Sequence, residues 1–409
     1  MQNRRNFLRN SMLALTGAGI AHRSFSTSIS KPLLKDGEDH FVYRKLGNTG
    51  LEIPVVSMGT GNCDNPNLIR EALDRGVKLL ATHDYYQNGN NEKMVGEVLK
   101  DRPRDSCMIL TGTGKGLEID FKNGRFGSET NMDTFMESIN GCLERLQVDY
   151  VDILNAPFAG SREAVFYEPV LKTLKKIKRQ GKARFIGMAS HNIEHEAILA
   201  AADSDIYDLV TIAYNFRKTN LQEMEEAMQY AADKGLGIIG MKTMAGVYWD
   251  KEQKQAINTR AALKWVLQNE NIHTTIPDCS TFDELHQDLD VMADMGLKDE
   301  EIRDLDPPAG DTSSGLYCQQ CNQCLTQCPE NLNIPAIMRS YMYAYGYRNL
   351  GLAQQTMDQA GPDHLYCKDC RECLVNCRMG FDIRGKILDI DRIRDIPEDM
   401  IWNKPVLRT

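Results

Sequence analysis

From Ile53 onward the chain alternates short apolar, β-branched runs with longer stretches whose apolar residues recur every third or fourth position. A short run that is apolar throughout suits a strand buried on both faces, whereas the longer spacing suits a helix that buries one side. The pattern predicts eight strands, at Val55 to Met58, Lys78 to Ala81, Met108 to Thr111, Val151 to Asn155, Arg184 to Ala189, Leu209 to Ala213, Gly237 to Met241 and Thr274 to Ile276. Helical stripes lie between them, for example Met132, Phe135, Ile139, Leu143 and Leu146, or Leu221, Met224, Met228 and Ala231. Gly, Asn or Asp marks each change of period. Eight βα units over roughly 250 residues predict an α/β fold, a (β/α)8 TIM barrel, whose working face is built from the loops after the strands. We place it at residues 41–305. A second helical pattern follows, around Ile334 to Tyr345, Leu350 to Met357 and the tail Met379 to Ile393, and predicts a smaller, mostly helical domain over residues 314–393.

Charge and hydropathy remove several function classes. The 409 residues carry a net charge of −9 and no long basic stripe, which argues against a protein that tracks nucleic-acid phosphates. No apolar run reaches the roughly 18–20 residues of a spanning helix, so no transmembrane span is expected in the mature chain. The first 30 residues differ from the rest: they hold Arg4, Arg5, Arg9 and Arg23 and no acid, so their removal would take the charge from −9 to −13. Arg4-Arg5-Asn6-Phe7-Leu8-Arg9 before a weakly apolar stretch from Ser11 to Ala21 reads as a twin-arginine export signal, and predicts a periplasmic or otherwise exported protein. The alternative is an ordinary basic amphipathic start. Both Gly19-Ile20-Ala21 and the Ser-rich segment through Ser30 could hold the cut.

The cysteines carry the strongest chemistry. Eight of twelve fall into two strings, Cys318-x2-Cys321-x2-Cys324-x3-Cys328-Pro329 and Cys367-x2-Cys370-x2-Cys373-x3-Cys377. Three thiolates at intervals of three can be offered to one [4Fe–4S] cube, while the fourth reaches the other cube. We therefore expect two clusters, one held by Cys318, Cys321, Cys324 and Cys377, the other by Cys367, Cys370, Cys373 and Cys328. Zinc or disulfides are the competing readings, and zinc sites usually use separated Cys pairs or mixed Cys and His. Helical patterns in the long spacer between Cys328 and Cys367 favour a helical ferredoxin-like type. Arg378 follows the last cysteine, where a cation near sulfur would tend to raise a potential. Cys63, Cys107, Cys142 and Cys279 are scattered and are expected in the core.

The barrel stretch also carries a family resemblance. Tyr43-Arg44-Lys45-Leu46-Gly47-Asn48-Thr49-Gly50-Leu51-Glu52-Ile53, Tyr86 to Gly89 with Glu92, Leu143-Glu144-Arg145-Leu146 with Asp149-Tyr150-Val151-Asp152, Gly181 to Gly187, and Tyr214-Asn215 together resemble the aldo/keto reductase family. Ser190-His191 and Met241-Lys242 resemble its subgroup with a C-terminal iron–sulfur module. The resemblance implies a nicotinamide hydride donor and a tetrad of Asp, Tyr, Lys and His in which the tyrosine protonates a carbonyl oxygen. It implies Tyr86 as that tyrosine, but puts Ala81, Gly112 and Pro157 at the other three positions. Lys115 could reach back toward the tyrosine, and His83, Asp84 or His191 could supply acid–base capacity from the same barrel mouth. Lys242, ending a strand at the working face, is a further candidate. His83 and Asp84 could equally serve only to bind loop backbone.

Cofactor expectations divide along the same line. The resemblance places Ser190 and Asn215 at a cofactor, yet Thr211 replaces the expected glutamine. Ile276-Pro277-Asp278-Cys279-Ser280 also lacks the glycine and basic residue that would cradle a 2′-phosphate. NADP is thus weakened. The sequence predicts an exported oxidoreductase that passes electrons between a small organic substrate and an unidentified redox partner through two clusters. The alternatives are a non-catalytic electron-transfer or binding protein with a degenerate barrel, and an NADP-dependent carbonyl reductase that retains its nucleotide.

Overall fold

The computed structural model describes residues 41–120, 124–156, 160–307, 315–360, 367, 370 and 372–401. By its internal contacts the chain divides into Met1–Glu38, which holds the expected export signal and lies outside the described residues, and Asp39–Thr409. Pro157 is also outside them.

The second unit opens with an antiparallel hairpin, β1 (Tyr43–Lys45) and β2 (Glu52–Pro54). Eight parallel strands follow: β3 (Met58–Gly59), β4 (Leu79–Ala81), β5 (Met108–Gly112), β8 (Val151–Ala156), β9 (Ala183–Ser190), β10 (Leu209–Ala213), β11 (Gly237–Met241) and β12 (Thr274–Thr275). The short hairpin β6 (Ile119–Asp120) and β7 (Arg125–Phe126) stands apart. Sheet order follows chain order, and parallel bridges from Val56 to Thr275 and from Gly59 to Asp278 join the first strand to the last. All eight predicted strands are present. The first is regular only at Met58–Gly59, because Val55 and Val56 lie at the seam where β3 meets β12.

Helices pack outside: α1 (Pro66–Arg75), α2 (Asn90–Leu99), α3 (Met132–Leu146), α4 (Arg162–Val165), α5 (Glu168–Arg179), α6 (Glu194–Ala202), α7 (Leu221–Asp233), α8 (Thr259–Leu267), α9 (Phe282–Asp290) and α10 (Asp299–Asp304). The predicted stripes are their buried faces, such as Phe135, Ile139, Leu143 and Leu146 on α3. Asn131 caps α3 by accepting from the Asp133 and Thr134 amides, which satisfies donors that the first helical turn leaves open.

Alternate residues of the strands fill the barrel: Leu79, Ala81, Leu110, Ile153, Leu209 and Ile239 form one cluster, closed below by Leu46 and Ile53 of the hairpin. Gly47 lets the hairpin approach, since a Cβ there would lie 2.5 Å from the Gly235 carbonyl oxygen. Two family-like motifs are explained by buried charge. Glu92 accepts from Arg145 at 2.7 Å and from the Thr111 hydroxyl at 2.6 Å. Asp152 accepts from Arg104, Arg184 and the Ile109 amide.

The described residues of the C-terminal stretch include α11 (Ile334–Tyr345), α12 (Leu350–Gln359), α13 (Ile383–Ile390) and α14 (Glu398–Ile401). The predicted tail helix is shorter than its apolar spacing, because Asp382 caps it and Asp391–Asp395 tightens into a 3-10 turn. Nearly all of α11 is buried. It and the loop after it lie on the C-terminal mouth of the barrel: Asn349 donates to the Gly61 carbonyl at 3.1 Å, Asn62 to that of Tyr347 at 3.0 Å, and Gln253 to that of Tyr345 at 2.8 Å. Among the described residues, no helix is long and apolar enough to cross a membrane.

Candidate active site

A cavity of about 690 Å³ opens where α11 meets the barrel mouth. Its wall includes His83 and Tyr86 after β4, His191 after β9, Lys242 after β11, Asp278 after β12, and Tyr343 from α11. Most of the acid–base candidates therefore converge.

Tyr86 packs its phenol against Gly61, where a Cβ would lie 2.9 Å from the ring. Burial, then Tyr85, Asp278 and Tyr343, raise its hydroxyl well above the ordinary tyrosine value, so these neighbours oppose tyrosinate. His83 stands beside it, with ring centres 6.0 Å apart. Nδ1 of His83 lies 2.9 Å from an Asp84 carboxylate oxygen. Burial acts against the Asp84 charge, but His83, the Thr113 hydroxyl at 2.7 Å and Lys115 outweigh it and hold this carboxyl below the usual range.

Lys115 does not follow the expectation. Its ammonium is held 3.7 Å from Asp84, is 64% exposed, and is not part of the cavity wall. The reason is local, since Thr113 and Asp84 turn the loop after β5 away from the mouth. Ser190 and Asn215 also lie off the wall. Ser190 donates to the Asn192 carbonyl at 3.0 Å, while Asn215 donates to the Lys242 carbonyl at 2.9 Å and accepts from the Arg217 amide at 3.0 Å.

Asn215 thereby pins Lys242, whose φ of 54° is in the left-handed region. From that backbone the ammonium donates to the Tyr343 hydroxyl at 2.7 Å. His191 is buried nearby. Burial, then the charges of Lys242, Arg339 and Lys218, push its pKa well below the ordinary value and leave the ring neutral near physiological pH. Asp278 is enclosed by protein yet keeps open surface, since that surface faces the cavity. Burial pushes it up to about 6, against the opposing pull of the Gly61 amide and Lys242. Sequence reasoning did not assign roles to Asp278 or Tyr343. The second is one of three tyrosines, 341, 343 and 345, on α11, with a fourth at 347 just beyond it.

The cysteine strings come together across the chain. Burial raises Cys318, and Cys321 and Cys377 add to the effect; Cys324 likewise feels Cys318, Cys321 and Cys377. Cys367 is raised by burial and then by Cys370, Cys328 and Cys373. Cys318, Cys321, Cys324 and Cys377 are thus mutual neighbours, as are Cys367, Cys370, Cys373 and Cys328. Among the described residues, no three His, Cys, Asp or Glu side chains converge on one metal ion, whereas a cubane needs four sulfurs standing off around a cube. The donors fit that group. Gln320 and Met379 amides point at the sulfurs of Cys318 and Cys377, and Arg384 binds the carbonyls of Cys367 and Cys370.

A dinucleotide fits less well. The cavity runs past Ser280, Thr281 and Glu284 at the start of α9, where free amides would have to meet phosphate. Glu284 already accepts from the Ser280 amide at 2.7 Å and the Thr281 amide at 3.2 Å, in a capping box with Thr281. A carboxylate therefore occupies the place an anion would need.

Comparison with known proteins bears on the barrel. Residues 64–260 match the aldo/keto reductase family. An Arabidopsis thaliana protein named L-galactose dehydrogenase is 30% identical over 217 residues, which are 49% of this chain and 65% of that one. The chain thus spans less than two thirds of that relative. The holo aldo-keto reductase AKR11C1 of Bacillus halodurans superposes with a TM-score of 0.53 at 20% identity, over 65% of this chain and 95% of its own. Another, AKR2E5 complexed with NADPH, gives 0.50 at 17% identity, over 65% and 86%. These two likenesses show the fold.

Proposed function

We propose, from the match of residues 64–260 to the aldo/keto reductase family, that the chain changes a small organic substrate in the barrel-mouth cavity and exchanges the electrons through two [4Fe–4S] clusters. One observation carries this reading. Cys318 lines a water-sized cavity of about 10 Å³ together with His191, Lys242, Tyr317 and Arg339, so a cluster ligand adjoins the acid–base groups. At the other end Cys373 is exposed, next to Leu374 at 67% exposure, a surface where a redox partner can approach.

Cys318, Cys321, Cys324 and Cys377 would hold the cavity-side cluster, and Cys367, Cys370, Cys373 and Cys328 the surface-side one. Each supplies storage for one electron, so the pair matches a two-electron change of substrate. The barrel residues supply the rest. Neutral His191 and the Lys242–Tyr343 pair handle protons, and α11 restricts water at the mouth. A neutral, hydroxyl-bearing compound suits a wall that carries both acids, such as Asp64, Asp278 and Glu284, and the cations Lys242 and Arg348. No step is assigned to NADP, because Glu284 occupies the phosphate end. Export by the twin-arginine route belongs to the same proposal, since that route carries folded proteins with cofactors installed.

Iron analysis and electron resonance of anaerobically reconstituted protein test the reading. We expect about eight irons per chain and two cubane signals, with Cys377→Ser and Cys328→Ser each losing roughly half of the iron. Zinc in place of iron, or no cubane signal, would overturn it.

A further inference from the structure

We infer that the proton donor of the site is Tyr343, delivered by the C-terminal segment and held by Lys242, and that Tyr86 is not the acid. This deepens the proposed function and rests on it. Family-type chemistry needs a tyrosine hydroxyl paired with a lysine, and the position that would give Tyr86 its lysine is Gly112. His83 fills that space instead, with Nε2 3.1 Å from where a Gly112 Cβ would stand. The pairing exists elsewhere in the same cavity, as Lys242 Nζ and Tyr343 Oη at 2.7 Å.

The direction of that hydrogen bond matters. An ammonium has donors and no acceptor, so Tyr343 Oη must be the acceptor and its own proton is offered elsewhere. Tyr343 is 5% exposed and lines the cavity, so that proton is available to a bound substrate rather than to bulk water. Lys242 is fixed by Asn215 through its carbonyl, which makes the ammonium a preset partner for phenolate.

In the reducing direction a carbonyl needs two electrons, which the clusters would supply when bound, and two protons. The oxygen takes the Tyr343 proton as the phenol O–H bond breaks, and the electron pair of that bond remains on the phenolate beside the Lys242 ammonium. The carbon takes its proton from water. Tyr343 is then reprotonated from solvent.

The test uses full-length, iron-loaded protein whose clusters are reduced with dithionite under argon and then mixed with benzaldehyde or glyceraldehyde. Return of cluster absorbance and formation of the alcohol are followed across pH. Tyr343→Phe should slow reoxidation by roughly 100-fold or more, the range of a lost general acid, with iron content unchanged. Lys242→Met should slow it and shift its pH profile, and Lys242→Arg should restore part of both. Tyr86→Phe should retain most of the rate. Wild-type rates in Tyr343→Phe, or a large loss confined to Tyr86→Phe, would overturn the inference alone. Wild-type clusters that reduce normally but ignore both carbonyls would overturn the proposed function, and this inference with it.

Discussion

His83 occupies the space into which a side chain at Gly112 would project: a Cβ on Gly112 would lie 3.1 Å from Nε2 of His83 and 2.7 Å from the Asn155 carbonyl oxygen. The backbone oxygen cannot step aside as a flexible side chain can. Gly112→Ala should therefore destabilise the chain by about 1–3 kcal/mol, seen as a lower urea midpoint with an unchanged slope. Adding His83→Ala should recover only part of that loss. Full recovery would mean that Asn155 is not the obstacle.

The start of α9 makes an equally direct prediction. Titration calorimetry with NADPH should show no saturable binding to the wild-type chain, and denaturation should release no nucleotide. Glu284→Ala removes one side of the capping box, which should cost about 0.5–2 kcal/mol, and it frees the Ser280 and Thr281 amides. Any nucleotide binding should appear in that variant first. Tight binding by the wild type would contradict the fit described for Glu284.

Asp288 gives a pH dependence with a definite sign. It is 3% exposed, and burial pushes its carboxyl up to about 8, while contact with Cys279 opposes the shift. The folded state then keeps a proton that the unfolded chain releases near its ordinary value of 3.8. Its contribution is fully present below that value and is lost as pH rises toward about 8. Asp288→Asn, neutral throughout, should raise the melting temperature more at pH ~8 than at pH ~5. An equal shift at both values would refute the assignment.

Much of this was legible in the sequence, for reasons that particular residues make plain. Strands such as Leu209–Ala213 are buried throughout because helices cover one face and the barrel core the other. The stripe on α3 was readable because one side of the helix is solvent. That Tyr86, His83, His191 and Lys242 share a cavity wall is readable because each follows a strand at the working face. Tyr343 was not, since its role depends on where α11 docks, and nothing local distinguishes it from Tyr341, which hydrogen-bonds Asp389 on α13 at 3.2 Å. The place of Lys115 is not legible from spacing alone: three residues of chain can reach back, but its ammonium stands 3.7 Å from Asp84, which also accepts from Thr113.

Helix α11 is buried almost all round, and Gly346 just beyond it sits so near Gly246 that a Cβ would come within 2.4 Å of the latter's carbonyl oxygen. The barrel and the cysteine segment are consequently not interchangeable modules. A barrel cut free near residue 306 would lose Tyr343 and bare an apolar mouth, and a borrowed cysteine segment would have to bring both the tyrosine and the glycine contact. In evolutionary terms the two halves are constrained to vary together, so variation at residues 242–246 should track that at residues 342–347.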